Sequence, residues 1–159
     1  MEDNKKLVSI LNDLLRINYD RIEGYQKAAD EIKDVKEAEV KSLFYQMADE
    51  SRRYKTSLSE AVIRLGGEPA NDTSTAGDIY RVWMDVKATF SGDDVLAALK
   101  SCEFGEDNAL KAYSKALGKS VTWPIGTGEL IESQYASLKA SHDKIKHTRD
   151  AYAKLVVNH

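Results

Sequence analysis

Apolar residues in this chain recur at intervals of three and four through several long stretches, and nowhere do they alternate at intervals of two. That pattern commits the fold to helices, because a helix returns to one face about every 3.6 residues and a strand every second one. Pro69 and Pro124 both stand among glycines, in GGEPANDTSTAG and WPIGTG, where they separate elements rather than interrupt them. Asn-Gly and Asp-Gly hairpin turns are absent. The expected class is all-α.

The first helix is expected from about Asn4 to Ile32, with Leu7, Leu11, Leu14, Asn18, Ile22, Tyr25, Ala29 and Ile32 on one stripe. After a turn near Lys33 to Lys36, the second carries Val40, Leu43, Met47, Ser51, Tyr54, Leu58, Ala61 and Leu65 and stops at Gly66-Gly67. Thr75 followed by Asp78 resembles a capping box opening a shorter helix with Ile79, Trp83, Val86 and Phe90 inward. The next long helix begins near Asp93, capped by Ser91 or Asp93, and its stripe is Leu99, Cys102, Glu106, Leu110, Tyr113 and Leu117, ending at Gly118. The last carries Ile131, Gln134, Leu138, His142, Ile145, Arg149, Tyr152 and Val156. Two short links predict antiparallel neighbours, and the link of about 25 residues between the second and third long helices is the crossover of a ferritin-like bundle. The expectation is one domain over residues 1–159: an antiparallel four-helix bundle with an extra short helix in its long crossover. No motif repeats at a fixed period, which argues against a helical solenoid.

Charge narrows the partners. Lys and Arg number 23 against 26 Asp and Glu, for a net charge of -3, so there is no basic excess to condense on nucleic acid or an anionic membrane. No stretch is apolar enough to span a bilayer, and MEDNKKLVSILNDLL lacks the build of a secretory signal, so a cytoplasmic location is expected. The single Cys102 rules out an internal disulfide and fits a small buried core residue. No nucleophile elbow and no phosphate loop is present.

Polar residues interrupt the apolar stripes at one height. Asn18 and Ser51 lie about fourteen residues either side of the first turn, and Glu106 and His142 stand nearly symmetrically about the last one. Asn18, Tyr54, Glu106, His142 and Arg149 are therefore the expected polar core layer, with Glu50 at its flank. A buried carboxylate needs a cation, hydrogen-bond donors or a metal, and His142 and Arg149 are the candidate compensators. The metal alternative uses Glu106, His142 and Glu50, a donor set that suits iron, manganese or zinc without discriminating among them. Di-iron bundles use Glu-x-x-His pairs, and this chain has none: Glu50-Ser-Arg-Arg53 and Lys139-Ala-Ser-His142 stand where such pairs would be sought.

LNDLLRINYDRIEGY, SLFYQMADESRRYKTSLSEAVIRLGGEP, DIYRVWMDVKATFSGDD, SCEFGEDNALKAYSKAL and QYASLKASHDKIKHTRD together resemble a bacterial family of ferritin-like four-helix-bundle proteins of unknown function, distantly akin to rubrerythrins. The resemblance spans roughly residues 4 to 152 and implies fold and ancestry, with no reaction to carry over. The function expected is non-catalytic, through assembly or partner binding, as in stress-related ferritin relatives, with no cofactor. The alternatives are a metal-binding redox or iron-handling protein with a degenerate site at Glu106 and His142, and a small-molecule binder using the polar pocket between helices. A homodimer through Tyr80 and Met84 of the crossover is the expected assembly.

Overall fold

The computed structural model of the chain describes residues 2–72, 83 and 95–157. Four long helices carry them: α1 (Glu2–Glu31), α2 (Ala38–Arg64), α3 (Val95–Leu117) and α4 (Thr127–Val157). Among the described residues there is no strand. The long helices begin and end within a few residues of the positions expected from periodicity. The capping pair Thr75/Asp78, the caps Ser91 and Asp93, and Ile79, Tyr80, Met84, Val86 and Phe90 lie outside the described residues.

Local chemistry sets the breaks. Between α1 and α2, Asp34 accepts from the Lys36 backbone N–H at 2.9 Å and caps a 3-10 turn over Val35–Glu37. At the end of α2, Gly66 takes φ 82°, and the N–H groups of Gly66 and Gly67 return to the carbonyls of Ile63 and Val62. These two bonds form a Schellman motif, which places glycine where an L side chain would be strained. The loop beyond is held to α1 by Asn12, whose amide donates to the Glu68 carbonyl and accepts from the Ala70 N–H.

The long-range bonds define the topology. Asn18 pairs with Ser51 while Asp30 pairs with Tyr45, so α1 and α2 are antiparallel. Tyr113 meets Gln134 while Glu103 meets Arg149, which makes α3 and α4 antiparallel as well. Asn18 bonds to Tyr113 and Tyr25 to Glu106, so α1 and α3 also run in opposite directions. The α2 helix consequently ends at one end of the bundle and α3 starts at the other, and the connection between them must travel the full length. Trp83, within that connection, is fully buried between Gly24 of α1 and Gly105 of α3.

Two apolar clusters fill the bundle. One gathers Tyr25, Phe44, Met47, Trp83, Leu99 and Cys102 towards the α1/α2 turn. The other gathers Leu11, Leu14, Leu58, Tyr113 and Leu138 towards the opposite end. Between them lies a layer of buried polar side chains drawn from all four helices: Asn18, Arg21, Ser51, Glu106, Gln134 and Ser141.

Candidate functional site

Arg21 is the centre of this layer. Its side chain is wholly buried, its Nε donates to Glu106 Oε1 at 2.7 Å, and its Nη2 lies 3.0 Å from Glu50 Oε1. The third nitrogen, Nη1, donates to Ser51 Oγ at 2.6 Å. One guanidinium from α1 thus holds a carboxylate from α2 and another from α3. Burial disfavours the charge on Arg21, but Glu106, aided by Tyr25 and Glu50, more than offsets this and raises its pKa above the ordinary value. The group is a permanent cation at mid-bundle.

Hydrogen bonds extend from it across the layer. Ser51 donates to Asn18 Oδ1 at 2.8 Å, the Asn18 amide donates to the Tyr113 hydroxyl at 2.9 Å, and Tyr113 donates to Gln134 Oε1 at 2.7 Å. On the other side, the Ser141 hydroxyl donates to Glu50, lying 2.8 and 2.9 Å from its two oxygens. The Tyr25 hydroxyl donates to the Glu106 oxygen that Arg21 holds, at 2.6 Å. Glu106 Oε2 is buried with no hydrogen-bond partner among the described residues. Burial and the nearby Glu106 carboxylate push the Tyr25 hydroxyl and the Cys102 thiol well above their ordinary values, so both stay protonated. Tyr54 is half-buried beside Glu50 and is pushed up to about 12, chiefly by burial.

The residues expected in the core layer separate into two groups. Asn18 and Glu106 are buried within it, and Tyr54 and Glu50 flank it. His142 and Arg149 lie elsewhere: His142 Nε2 is 2.6 Å from Asp107, and Arg149 pairs with Glu103 and Asp150, on the α3/α4 side away from Arg21. The compensating cation for Glu106 is therefore Arg21, in place of His142 or Arg149. On α4 the buried positions run Ile131, Gln134, Leu138, Ser141 and Ile145, which leaves His142 one residue, or about 100°, round the helix from the core. On α1 the same shift puts Arg21 inside and leaves Ile22 half-buried. A signal for Arg21 existed, since it stands seven residues after Leu14 and four before Tyr25, both of them core positions. Hydrophobicity favoured its neighbour.

A family model described as "Domain of unknown function (DUF2383)" matches residues 6–119. Among solved structures the chain is similar to the bacterioferritin-related protein from Bacteroides fragilis, described as a dodecameric thioferritin. That likeness has a TM-score of 0.77 at 17% identity and covers 98% of this chain and 91% of the other. No curated protein matches the chain. At that identity the likeness establishes the fold, a ferritin-like helical bundle. No described helix is long and apolar enough to cross a membrane.

Proposed function

We propose, for a chain that belongs to the family described as "Domain of unknown function (DUF2383)", a non-catalytic role exercised through self-assembly, with Arg21 as the built-in cation of its core. The observation that carries this reading is the fully buried guanidinium shared by Glu106 and Glu50. Ferritin-like di-iron centres draw on a glutamate from each of two helices and a Glu-x-x-His pair from each of the others. The donors at this height do not fit that centre. They comprise two carboxylates already paired with one guanidinium, together with hydroxyls and amides, while His142 turns towards Asp107. A buried guanidinium also repels an incoming metal cation, so iron could enter only if Arg21 withdrew.

Self-assembly draws support from two further features. The similar thioferritin is dodecameric by its own description. Between α2 and α4 lies a groove of about 780 Å³ whose lining includes Val40, Leu43, Tyr152 and Leu155 beside Lys36 and Asp143. Apolar positions bordered by both signs of charge suit a second copy of the same chain, because a two-fold contact sets each patch against itself. Light scattering after gel filtration is the test. A stable oligomer that Leu155→Glu dissociates supports the reading, and a monomer at all concentrations refutes it.

A second reading, a metal-binding redox or iron-handling protein whose degenerate site would rest on Glu106 and Glu50 without the expected His142, is favoured by the unpartnered Glu106 Oε2. Ferrous loading with elemental analysis separates the two. Metal that Glu106→Gln abolishes would favour the second.

A further inference from the structure

On the outer side of the α3/α4 pair, the geometry points to a site for a divalent transition metal built from Glu103, Asp107 and His142, independent of the Arg21 layer and of the function proposed for it. Glu103 and Asp107 stand one turn apart on α3, and His142 reaches them from α4. One ligand atom from each lies within 4.8 Å of the other two. Nitrogen and oxygen ligands about 2.0–2.2 Å from a common ion lie at most about 4.4 Å apart. Small side-chain rotations close that gap. All three residues are half-buried, which leaves a position open to water.

His142 supplies the independent observation. Its side chain is 17% exposed, yet Nε2 itself is closed off from solvent and has no aligned hydrogen bond, although Asp107 Oδ1 is only 2.6 Å away. The opposite ring nitrogen, Nδ1, lies 3.3 Å from Asp143 Oδ1. With the Nδ1 proton directed to Asp143, Nε2 presents a lone pair beside the Asp107 carboxylate. Two lone pairs that close repel unless a proton or a metal cation lies between them. A carboxylate behind the imidazole is also the arrangement that orients metal-binding histidines. One imidazole with two carboxylates suits zinc, cobalt, manganese or ferrous iron better than calcium or magnesium, which prefer all-oxygen sites. Arg149 sets the limit on affinity, because its guanidinium rests against Glu103 and competes with the ion for that carboxylate.

The test is titration of the full chain, free of tag and stripped by chelator, with Zn²⁺ by calorimetry and with Co²⁺ by absorbance. The expected result is one ion per chain, not displaced by Mg²⁺ or Ca²⁺, and bound at least about tenfold more weakly by Asp107→Asn and by His142→Gln. Arg149→Gln should bind more tightly, and His147→Ala, at an exposed histidine on the same helix, should bind as the wild type does. Circular dichroism confirms that each variant is folded. Failure of the wild type to bind, or binding that survives both ligand substitutions and disappears in His147→Ala, overturns the proposal.

Discussion

Arg21 is the residue on which the core depends most. A buried ion pair adds little over a well-packed apolar replacement, but removing one partner strands a charge, at a cost of about 3–5 kcal/mol. Arg21→Met should therefore lower the unfolding free energy obtained by urea titration by an amount in that range, since Glu106 is fully buried and would keep only the Tyr25 hydroxyl. Arg21→Met combined with Glu106→Leu should recover much of the loss, because the combination leaves only Glu50, which is 15% exposed and can reach water. A double variant no more stable than Arg21→Met alone would show that packing, and not charge, sets the cost. Glu106 and Asn18 were legible as core residues because each interrupts an apolar stripe. Arg21 was not, because helix arithmetic cannot choose between adjacent residues near the stripe centre, and its choice rests on the carboxylates that two other helices deliver. Cys102 supplies a simpler expectation at this scale. Its thiol is buried and its pKa raised, so a thiol reagent at pH 8 should leave the native chain unlabelled and react once urea unfolds it.

At the scale of elements, Trp83 of the long crossover enters a slot that two glycines create. A Cβ on Gly24 would approach the Trp83 ring to 2.4 Å, and one on Gly105 would approach it to 2.7 Å. Tyr25 lies against the same indole, with ring centroids 5.2 Å apart, and its hydroxyl reaches Glu106. The anchor of the crossover is thereby coupled to the polar layer. Gly24→Ala should destabilise the bundle by about 1–3 kcal/mol, the usual cost of overpacking a filled core, and should shift tryptophan emission to the red as Trp83 is displaced. Unchanged emission with unchanged stability would mean that the indole has room to move. Trp83 was legible as an inward residue from its helical spacing. The glycine slot was not, because Gly24 and Gly105 lie far apart in sequence and neither marks a turn. The four helices and their order were legible throughout, since stripes of about seven turns average out the one-residue errors that misplace a single side chain. His142 and Ser141 show the difference: the helix containing them was clear, while the face each occupies needed the partner helices.

For the whole molecule, the two apolar clusters and the layer between them make alkaline pH a test of how closely the bundle is sealed. Burial raises Cys102 above its ordinary 9.0 and Tyr25 and Tyr113 above their ordinary 10.0. In each case the folded chain holds a proton that the unfolded chain releases. Their contribution to stability is whole below about pH 9 and is lost as the pH climbs towards the folded values, at up to about 1.4 kcal/mol per pH unit for each group. Arg21 does not share in this decline over the same range, because its pKa is also raised and it remains charged in both states. The urea midpoint of the wild type should therefore change little through these groups between pH 7 and 9 and fall beyond. Cys102→Ala should reduce the slope between pH 9 and 10, and Tyr113→Phe should do so above pH 10, whatever each substitution does to stability at neutral pH. The comparison of slopes is the decisive one, because exposed lysines titrate in every variant alike and cancel. If both variants keep the wild-type slope, water reaches the thiol and the phenol in the native state, and the polar layer is open to solvent on the timescale of unfolding.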